Sequence, residues 1–337
     1  MPRSPEQFAD IKESEEVKKA PGFEIAETPD SEQFVAEADK IAKAIEGDKP
    51  VQLETVLKFR EALEKMIESD PRIEAKRLFG EGYMGPDEIE KHFTLENGEK
   101  LFEYSKEEKQ KINQMLREKL DDPQIKDLIR RTSKEELREK FQLFLFPDKF
   151  KDGTPVTMKA LYERFQPEME RRGVGKLLFS TDWYKNEDLF TSDSNQLSWK
   201  LLSKGNLEGS QGKNYVEETR FFREYLRQNN LATADELAEC SDAKLAELTQ
   251  LMVTDWKKAA KQLSELKINQ KYRINPLEVI FIHATQKSAL TGAYARTAKR
   301  SSAGELVDVG DCGSSGAVVN GWKPEGALGG VGVSFSR

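Results

Sequence analysis

Residues 304–337 read GELVDVGDCGSSGAVVNGWKPEGALGGVGVSFSR, and their composition differs from that of the chain before them. This stretch holds nine glycines before Val333, together with alternating valines and few charged residues. Short apolar runs between glycine-rich turns are typical of antiparallel strands. The runs at 306–309, 317–319 and 331–335 therefore predict a three-stranded antiparallel β-meander over 304–337. A meander of this size needs a helix to cover it before it is stable.

Most of the preceding chain shows the 3–4 residue spacing of apolar side chains that is typical of amphipathic helices. The pattern is clearest over 241–274, where it predicts one long helix. Thr233 and Asn275 have the pattern of helix N-caps, and we expect the helix that follows Asn275 to reach Lys299. An Asn-Gly pair predicts a hairpin near 92–104. The predicted fold class is α+β, predominantly α-helical, with a helical body and the C-terminal meander.

Composition divides the chain into three regions. Residues 1–30 are acidic and interrupted by prolines, which predicts a disordered N-terminus because too little apolar surface is available for burial. Residues 31–150 form an N-terminal helical region that ends in the polar turn at 148–155. Residues 151–337 form a C-terminal helical region that contains the long helix and the meander.

Charge is unevenly distributed over a chain whose net charge is −7. Residues 1–50 hold 7 basic and 13 acidic residues, whereas residues 256–300 hold 10 basic and 2 acidic residues. This asymmetry points to an electrostatic partner, inside or outside the chain. The two cysteines fit a reducing compartment, and the sequence shows neither a signal peptide nor an apolar run that could span a membrane. We therefore expect a cytoplasmic protein without membrane association.

The sequence lacks the patterns that identify metal, cofactor and catalytic sites. The glycine-rich GALGGVG at 326–332 does not open a helix, as a dinucleotide-binding loop must. A structural zinc site needs four closely spaced Cys or His ligands, and the four such residues of the chain are widely separated. We predict no metal, no cofactor and no catalytic residue. The enzyme alternative is a site assembled from distant segments, with Asp182, Trp183, His283 and Asp311.

Lysine and arginine are concentrated in the 256–300 segment, with Trp256, Tyr272 and Tyr294 between them. Such clusters are typical of phosphate binding in nucleic-acid-associated proteins. A solvated or internally paired face is the alternative, and the pI of 5.4 is below that of typical nucleic-acid binders. The candidate nucleic-acid contacts are Lys257, Lys258, Lys261, Lys267, Lys271 and Arg273.

Residues 173–214 mix aromatic, amide and lysine side chains without a clear period. An irregular segment of this kind predicts a surface for a ligand or partner. The alternative is that its tryptophans pack in the core. The candidate surface residues are Trp183, Tyr184, Asn186, Trp199, Lys204, Lys213 and Asn214.

Four stretches resemble an uncharacterised family of hypothetical proteins from candidate-phyla bacteria. They are TDWYKNEDLF (181–190), SWKLLSKGNLEGSQGKNY (198–215), KKAAKQLSELKINQ (257–270) and the ending RSS…GVSFSR (300–337). The resemblance is good over 174–337 and looser before it. It implies an intracellular bacterial origin and a shared architecture, but no activity, cofactor or catalytic residue. We predict a non-catalytic cytoplasmic binding or interaction protein, for which a protein partner is one expectation. The alternatives are a nucleic-acid-associated protein and an enzyme.

Overall fold

The computed structural model describes residues 38, 40, 41, 43, 44, 54–61 and 70–337. The chain divides into two compact units, residues 1–74 and residues 75–337. In the first unit residues 54–61 are helical, and the acidic segment expected at 1–30 lies outside the described residues. The second unit contains both sheets and all the candidate residues.

Helices and strands alternate irregularly along residues 71–337. The helices are α1 (Pro71–Phe79), α2 (Pro86–His92), α3 (Lys106–Asp121), α4 (Pro123–Arg131), α5 (Lys134–Lys140), α6 (Met158–Arg171), α7 (Asp188–Thr191), α8 (Tyr215–Gln228), α9 (Ala234–Ala238), α10 (Asp242–Thr254), α11 (Trp256–Glu265), α12 (Lys267–Tyr272) and α13 (Pro276–Ala284). The strands are β1 (Tyr83–Met84), β2 (Phe141–Phe146), β3 (Ser198–Ser203), β4 (Tyr294–Arg300), β5 (Leu306–Gly313), β6 (Gly316–Trp322) and β7 (Val331–Gly332).

The first sheet has the strand order β1-β2-β3. Strand β1 is parallel to β2, with Tyr83 opposite Leu143, and β3 is antiparallel to β2, with Leu201 opposite Leu143. Every residue of β2 is buried, which explains why its sequence, FQLFLF, is apolar almost without interruption. When a strand is covered on both faces, neither face meets water, so its side chains are apolar on both sides.

The second sheet has the order β6-β5-β4-β7 and contains one parallel pair, β4 with β7. The predicted three-stranded antiparallel meander is therefore wrong, although its first two runs are present as β5 and β6 and its third run contains β7, which is parallel to β4. The error comes from β4, which we assigned to a helix reaching Lys299, whereas α13 ends at Ala284. Strand β4 lies between β5 and the last strand. Gly310 of β5 permits this close approach, since a Cβ there would lie 2.0 Å from the carbonyl oxygen of Ala293.

The single helix predicted over 241–274 is three helices, α10, α11 and α12. Asp255 ends α10 with a non-helical backbone, and its side chain accepts a hydrogen bond from the Lys258 amide at 3.0 Å. Leu266 breaks the chain again between α11 and α12. An aspartate at this position favours the start of a new helix over continuation of the old one. Its carboxylate accepts a hydrogen bond from an amide in the first turn of the new helix, which would otherwise lack a partner.

The hairpin expected near 92–104 is reduced to a tight turn. Helix α2 runs to His92, and one isolated antiparallel bridge then joins Thr94 and Lys100. Gly98 supplies the positive φ of +82° that the turn needs.

A single apolar core joins the elements, and α13 lies at its centre with every residue buried. Phe281 of α13 has ring centroids 5.1 Å from Phe93 and 5.5 Å from Phe146. About 49% of the structure is helical and 17% is strand, which confirms a mixed α+β fold. None of the helices in the described part of the chain is both long and apolar enough to cross a bilayer.

Candidate functional site

Three of the six predicted nucleic-acid contacts are exposed on α11. They are Lys257, Lys258 and Lys261. The ammonium of Lys257 lies 5.5 Å from the ring centroid of Trp256, and that of Lys261 lies 3.9 Å from a carboxylate oxygen of Glu265.

The other three predicted contacts bind carboxylates of the protein itself. Lys267 pairs with Glu239, and Lys271 pairs with Glu236 at 2.5 Å. Arg273 is buried and cannot reach an external ligand without unfolding its surroundings. The six residues therefore do not form one basic face, and the nucleic-acid alternative depends on α11 alone.

Arg273 is held in a buried polar network beneath the second sheet. Its guanidinium donates to the carboxylate of Glu218 at 3.0 Å and to the side-chain oxygen of Asn269 at 2.8 Å. It also donates to Thr219 at 3.3 Å and lies 4.2 Å from the ring centroid of Tyr215. Arginine satisfies such a network well, since its planar group offers five donors and stacks on aromatic rings.

Arg296 and Asp308 extend this network across the sheet. They are directly opposite each other on β4 and β5, and both are buried. The nearest guanidinium nitrogen of Arg296 is 3.5 Å from Glu218. Neither carboxylate oxygen of Asp308 has a hydrogen bond of normal geometry with a described residue, although the Asn320 side chain opposite it on β6 acts to lower its pKa. Burial raises the pKa of Asp308 to about 7, because removal from water penalises the charged form.

Trp199 and Tyr184, two members of the predicted partner surface, are buried. The indole of Trp199 donates to the carbonyl oxygen of Ile112 at 3.0 Å. The hydroxyl of Tyr184 donates to the carbonyl oxygen of Ser180 at 2.5 Å. Trp199 therefore packs in the core, as the alternative expected of the tryptophans, and Tyr184 is buried as well.

Three further members of that surface make structural contacts. Lys204 donates to the carbonyl oxygen of Arg138 at 2.6 Å, and Lys213 donates to that of Gly209 at 2.6 Å. Asn214 is the N-cap of α8. These polar groups satisfy local backbone atoms, which fixes the ends of the surrounding loops.

Trp183 remains exposed and lies along the outer edge of β6. Its side chain is 42% exposed, and its indole donates to the carbonyl oxygen of Val319 at 2.9 Å. The amide of Phe179 donates to the carbonyl oxygen of Ala317 at 3.0 Å, and the Phe179 side chain is 60% exposed. Asn186 is also exposed in the turn that follows. Two large aromatic side chains thus stand beside one strand.

The edge of β6 is open beyond Trp183. Alternate residues of a strand direct their N–H and C=O groups to the same side, so Gly321 faces outward like Ala317 and Val319. Apart from the pairing of β6 with β5, no described residue forms a hydrogen bond with the backbone of Gly321. The carboxylate of Glu305 lies beside it, since a Cβ at Gly321 would be 2.7 Å from that carboxylate. We call Phe179, Trp183, Gly321 and Glu305 the β6 edge.

The four residues of the enzyme alternative are not joined by any hydrogen bond within residues 70–337. His283 is buried with Nε2 3.0 Å from the carbonyl oxygen of Lys176, and burial lowers its pKa. Asp311 accepts a hydrogen bond from the amide of Gly292 at 3.1 Å, and Asp182 is exposed. The structure gives each of these side chains a separate environment.

Both cysteines are buried thiols. Burial raises the pKa of Cys240 and of Cys312 to about 11, which disfavours the reactive thiolate. Among the described residues no three His, Cys, Asp or Glu side chains are grouped closely enough to hold a metal ion.

No protein-family model, no curated protein and no solved structure matches the chain, so the resemblance to a bacterial family stays a prediction. Sequence reasoning missed Phe179 and Glu305, which belong to the β6 edge. Neither has a motif. The pairing of residues 177–179 with Ala317 brings Phe179 to this strand, and the antiparallel pairing of β5 with β6 brings Glu305 to it.

Proposed function

We propose that the chain is a non-catalytic interaction protein that binds an extended segment of a partner protein along the β6 edge. The observation that carries the proposal is the pair of exposed aromatic side chains, Phe179 and Trp183, beside a strand with unpaired outward backbone groups. An added strand gains main-chain hydrogen bonds, and pockets beside the edge select its side chains.

The exposed edge supports this function because proteins normally protect such edges. Open edges favour pairing with other chains, and charges or bulges usually prevent it. Here residues 176–179 and the indole of Trp183 cover one half of β6, and the half around Gly321 stays open.

Glu305 indicates which partner fits. Its carboxylate forms no ion pair with any described residue and lies beside the open backbone of Gly321. A second copy of the chain would bring a second carboxylate close to it, which costs free energy. A segment with lysine or arginine near an apolar residue would pair with Glu305 and cover Phe179.

The test is selection of peptides from a displayed random library against the whole chain. We expect enriched peptides to combine a basic residue with apolar or β-branched residues. Their affinity, measured by fluorescence polarisation, should fall about tenfold or more in Phe179→Ser and Trp183→Ala, since buried aromatic anchors dominate such interfaces.

The matched control is Val253→Ser, because Val253 is 88% exposed on α10 and lies outside the β6 edge. Its affinity for the peptides should equal that of the unchanged protein. Glu305→Gln should weaken binding mainly at low salt. The proposal fails if no peptide is enriched, or if the Phe179 and Trp183 variants bind as tightly as the control.

A further inference from the structure

Three buried side chains beneath the second sheet have polar atoms without a hydrogen-bond partner among the described residues. Glu218 belongs to α8, Arg296 to β4 and Asp308 to β5, and each residue is at most 1% exposed. The atoms are Oε1 of Glu218, Nε and Nη1 of Arg296, and both carboxylate oxygens of Asp308. Buried polar atoms in proteins nearly always have a partner, which is either another protein group or ordered water.

The geometry places these atoms in one group. Nη1 of Arg296 lies 3.5 Å from Oε1 of Glu218, which is longer than a normal N–H···O hydrogen bond. Arg296 and Asp308 are directly opposite each other on antiparallel strands, so their side chains project from the same face of the sheet. These two side chains nevertheless form neither an ion pair nor a hydrogen bond with each other. The guanidinium of Arg296 is therefore separated from both carboxyl groups by more than the length of a hydrogen bond.

Neighbouring groups hold Arg296 in this position. Its Nη2 donates to the carbonyl oxygen of Gly326 at 3.0 Å, and its own carbonyl oxygen accepts from Arg273 at 3.2 Å. Arg273 also donates to the other carboxylate oxygen of Glu218 at 3.0 Å. The ring centroid of Tyr215 is 4.2 Å from the guanidinium of Arg273 and 6.0 Å from that of Arg296. These contacts oppose a rearrangement in which the unpartnered atoms pair directly.

The chemistry of the unpartnered atoms determines which ligand fits between them. Arg296 offers donors, whereas Glu218 and Asp308 offer acceptors, so a ligand that serves all three must both donate and accept hydrogen bonds. The two carboxyl groups would repel an anion, and the guanidinium groups of Arg273 and Arg296 would repel a metal ion. The enclosed position requires a very small molecule. Water meets each of these conditions.

We infer that Arg296, Asp308 and Glu218 form a binding site for internal water, which bridges the guanidinium to both carboxyl groups. A buried water molecule typically forms about three hydrogen bonds to groups that would otherwise lack a partner. About two such molecules would therefore satisfy the five atoms. The site contains no residue of the β6 edge, so this inference and the proposed function stand or fall separately.

The first test is NMR spectroscopy of the whole, isotopically labelled chain, in which the Nε–H protons of two buried arginines are observed. Nε of Arg296 has no partner among the described residues, whereas Nε of Arg273 donates to Asn269 at 2.8 Å and is the internal control. We expect a dipolar contact with water at the Nε–H of Arg296 and none at that of Arg273. Rotating-frame spectra separate a dipolar contact from proton exchange, because the two effects have opposite signs.

Two variants at position 308 test the bridge itself. Asp308→Leu removes both carboxylate oxygens, and we expect the water contact at Arg296 to be lost. Asp308→Asn keeps one oxygen and should retain the contact, which makes it the matched control. A crystal structure of the unchanged protein gives a readout that needs no variant. Ordered water should lie within about 3.2 Å of both Nε of Arg296 and a carboxylate oxygen of Asp308.

The inference is overturned by any of three results. The first is that the Nε–H of Arg296 shows no dipolar contact with water, or that Arg273 shows an equal one. The second is that Asp308→Leu keeps the contact, which would mean that the water does not bridge to Asp308. The third is a crystal structure in which Arg296 pairs directly with Asp308.

Discussion

Arg273 shows at the scale of one residue how position determines the role of a charge. In the sequence it follows five lysines and looks like the end of a basic face. In the structure it neutralises Glu218, a carboxylate that is fully buried. Replacing a buried ion pair by apolar residues is often tolerated, but removing one partner leaves the other charge uncompensated.

We therefore predict that Arg273→Met lowers the free energy of unfolding by about 3–5 kcal/mol. The variant leaves Glu218 buried without its nearest cation. Urea unfolding at pH 7 measures the effect. Lys258→Met on the exposed face of α11 is the control and should change stability by less than about 0.5 kcal/mol. Equal effects of the two substitutions would contradict the structural role of Arg273.

Asp308 should make stability depend on pH in an unusual direction. Burial raises the folded-state pKa of this carboxyl to about 7, whereas its pKa in the unfolded chain is about 3.9. The folded state then holds a proton that the unfolded state has lost. The stability that this group contributes is complete below about pH 4 and is lost as the pH rises toward about 7.

Asp308→Asn removes this titration. We predict that its free energy of unfolding, relative to the unchanged protein, rises by a few kcal/mol between pH 4 and pH 7, at about 1.4 kcal/mol for each tenfold difference in proton affinity. Urea unfolding of both proteins at several pH values measures the difference. A constant difference over this range would show that Asp308 titrates as an ordinary carboxyl.

At the scale of elements, turns and helix ends are fixed by local chemistry. Thr233 and Asn275 are N-caps in the structure, and each forms a capping box with the glutamate three residues later. Asp255 is likewise the N-cap of α11, although the apolar spacing continues without interruption from α10 into α11. Apolar periodicity records which side chains are buried, and it does not detect a change in direction of the helix axis.

Gly316 determines how β6 begins. Its φ is +101°, and a Cβ there would lie 2.5 Å from the carbonyl carbon of Leu178, so no side chain fits. We predict that Gly316→Ala destabilises the protein by more than the roughly 1–2 kcal/mol that a left-handed backbone costs a non-glycine residue. It should also disturb the pairing of residues 177–179 that positions Phe179.

Gly153→Ala is the matched control, because Gly153 has a φ of +84° but no atom within 4 Å of the added Cβ. Gly153→Ala should lose only the free energy that a left-handed backbone costs a non-glycine residue, without a contribution from a steric clash. Thermal unfolding of both variants and peptide binding at the β6 edge are the measurements. If the two substitutions cost the same, contact with Leu178 does not restrict position 316.

At the scale of the whole molecule, the last residues link the two sheets. The amide of Leu201 in β3 donates to the carbonyl oxygen of Arg337 at 2.8 Å, and the amide of Arg337 donates back at 2.9 Å. The carbonyl oxygen of Phe335 accepts from the amide of Ser203 at 3.0 Å. The chain leaves the second sheet at β7 and continues beside the first, so loss of this segment affects both.

We predict that Phe335→Ala lowers the free energy of unfolding by about 3–5 kcal/mol. Phe335 is fully buried, with its ring stacked on Tyr272 at a centroid distance of 6.4 Å. Urea curves from far-UV circular dichroism and from tryptophan fluorescence should shift together, because both sheets lose the same support. Phe179→Ala, at an exposed aromatic, should change stability by less than about 0.5 kcal/mol. Separate shifts of the two curves would mean that the sheets unfold independently.

The sequence by itself determined the features that depend on neighbouring residues. The N-caps at Thr233 and Asn275, the strands β5 and β6 and the mixed α+β class follow from capping chemistry, glycine turns and apolar spacing. Each rests on contacts a few residues apart, which a local pattern records.

Only the tertiary structure decided which strands pair and which charges are buried. Strand β4 lies between β5 and β7, and Arg273 forms an ion pair with Glu218 of α8. The free energy of a charge or a strand edge depends on its solvation and partners. Those partners lie tens to hundreds of residues away along the chain, so no local pattern specifies them.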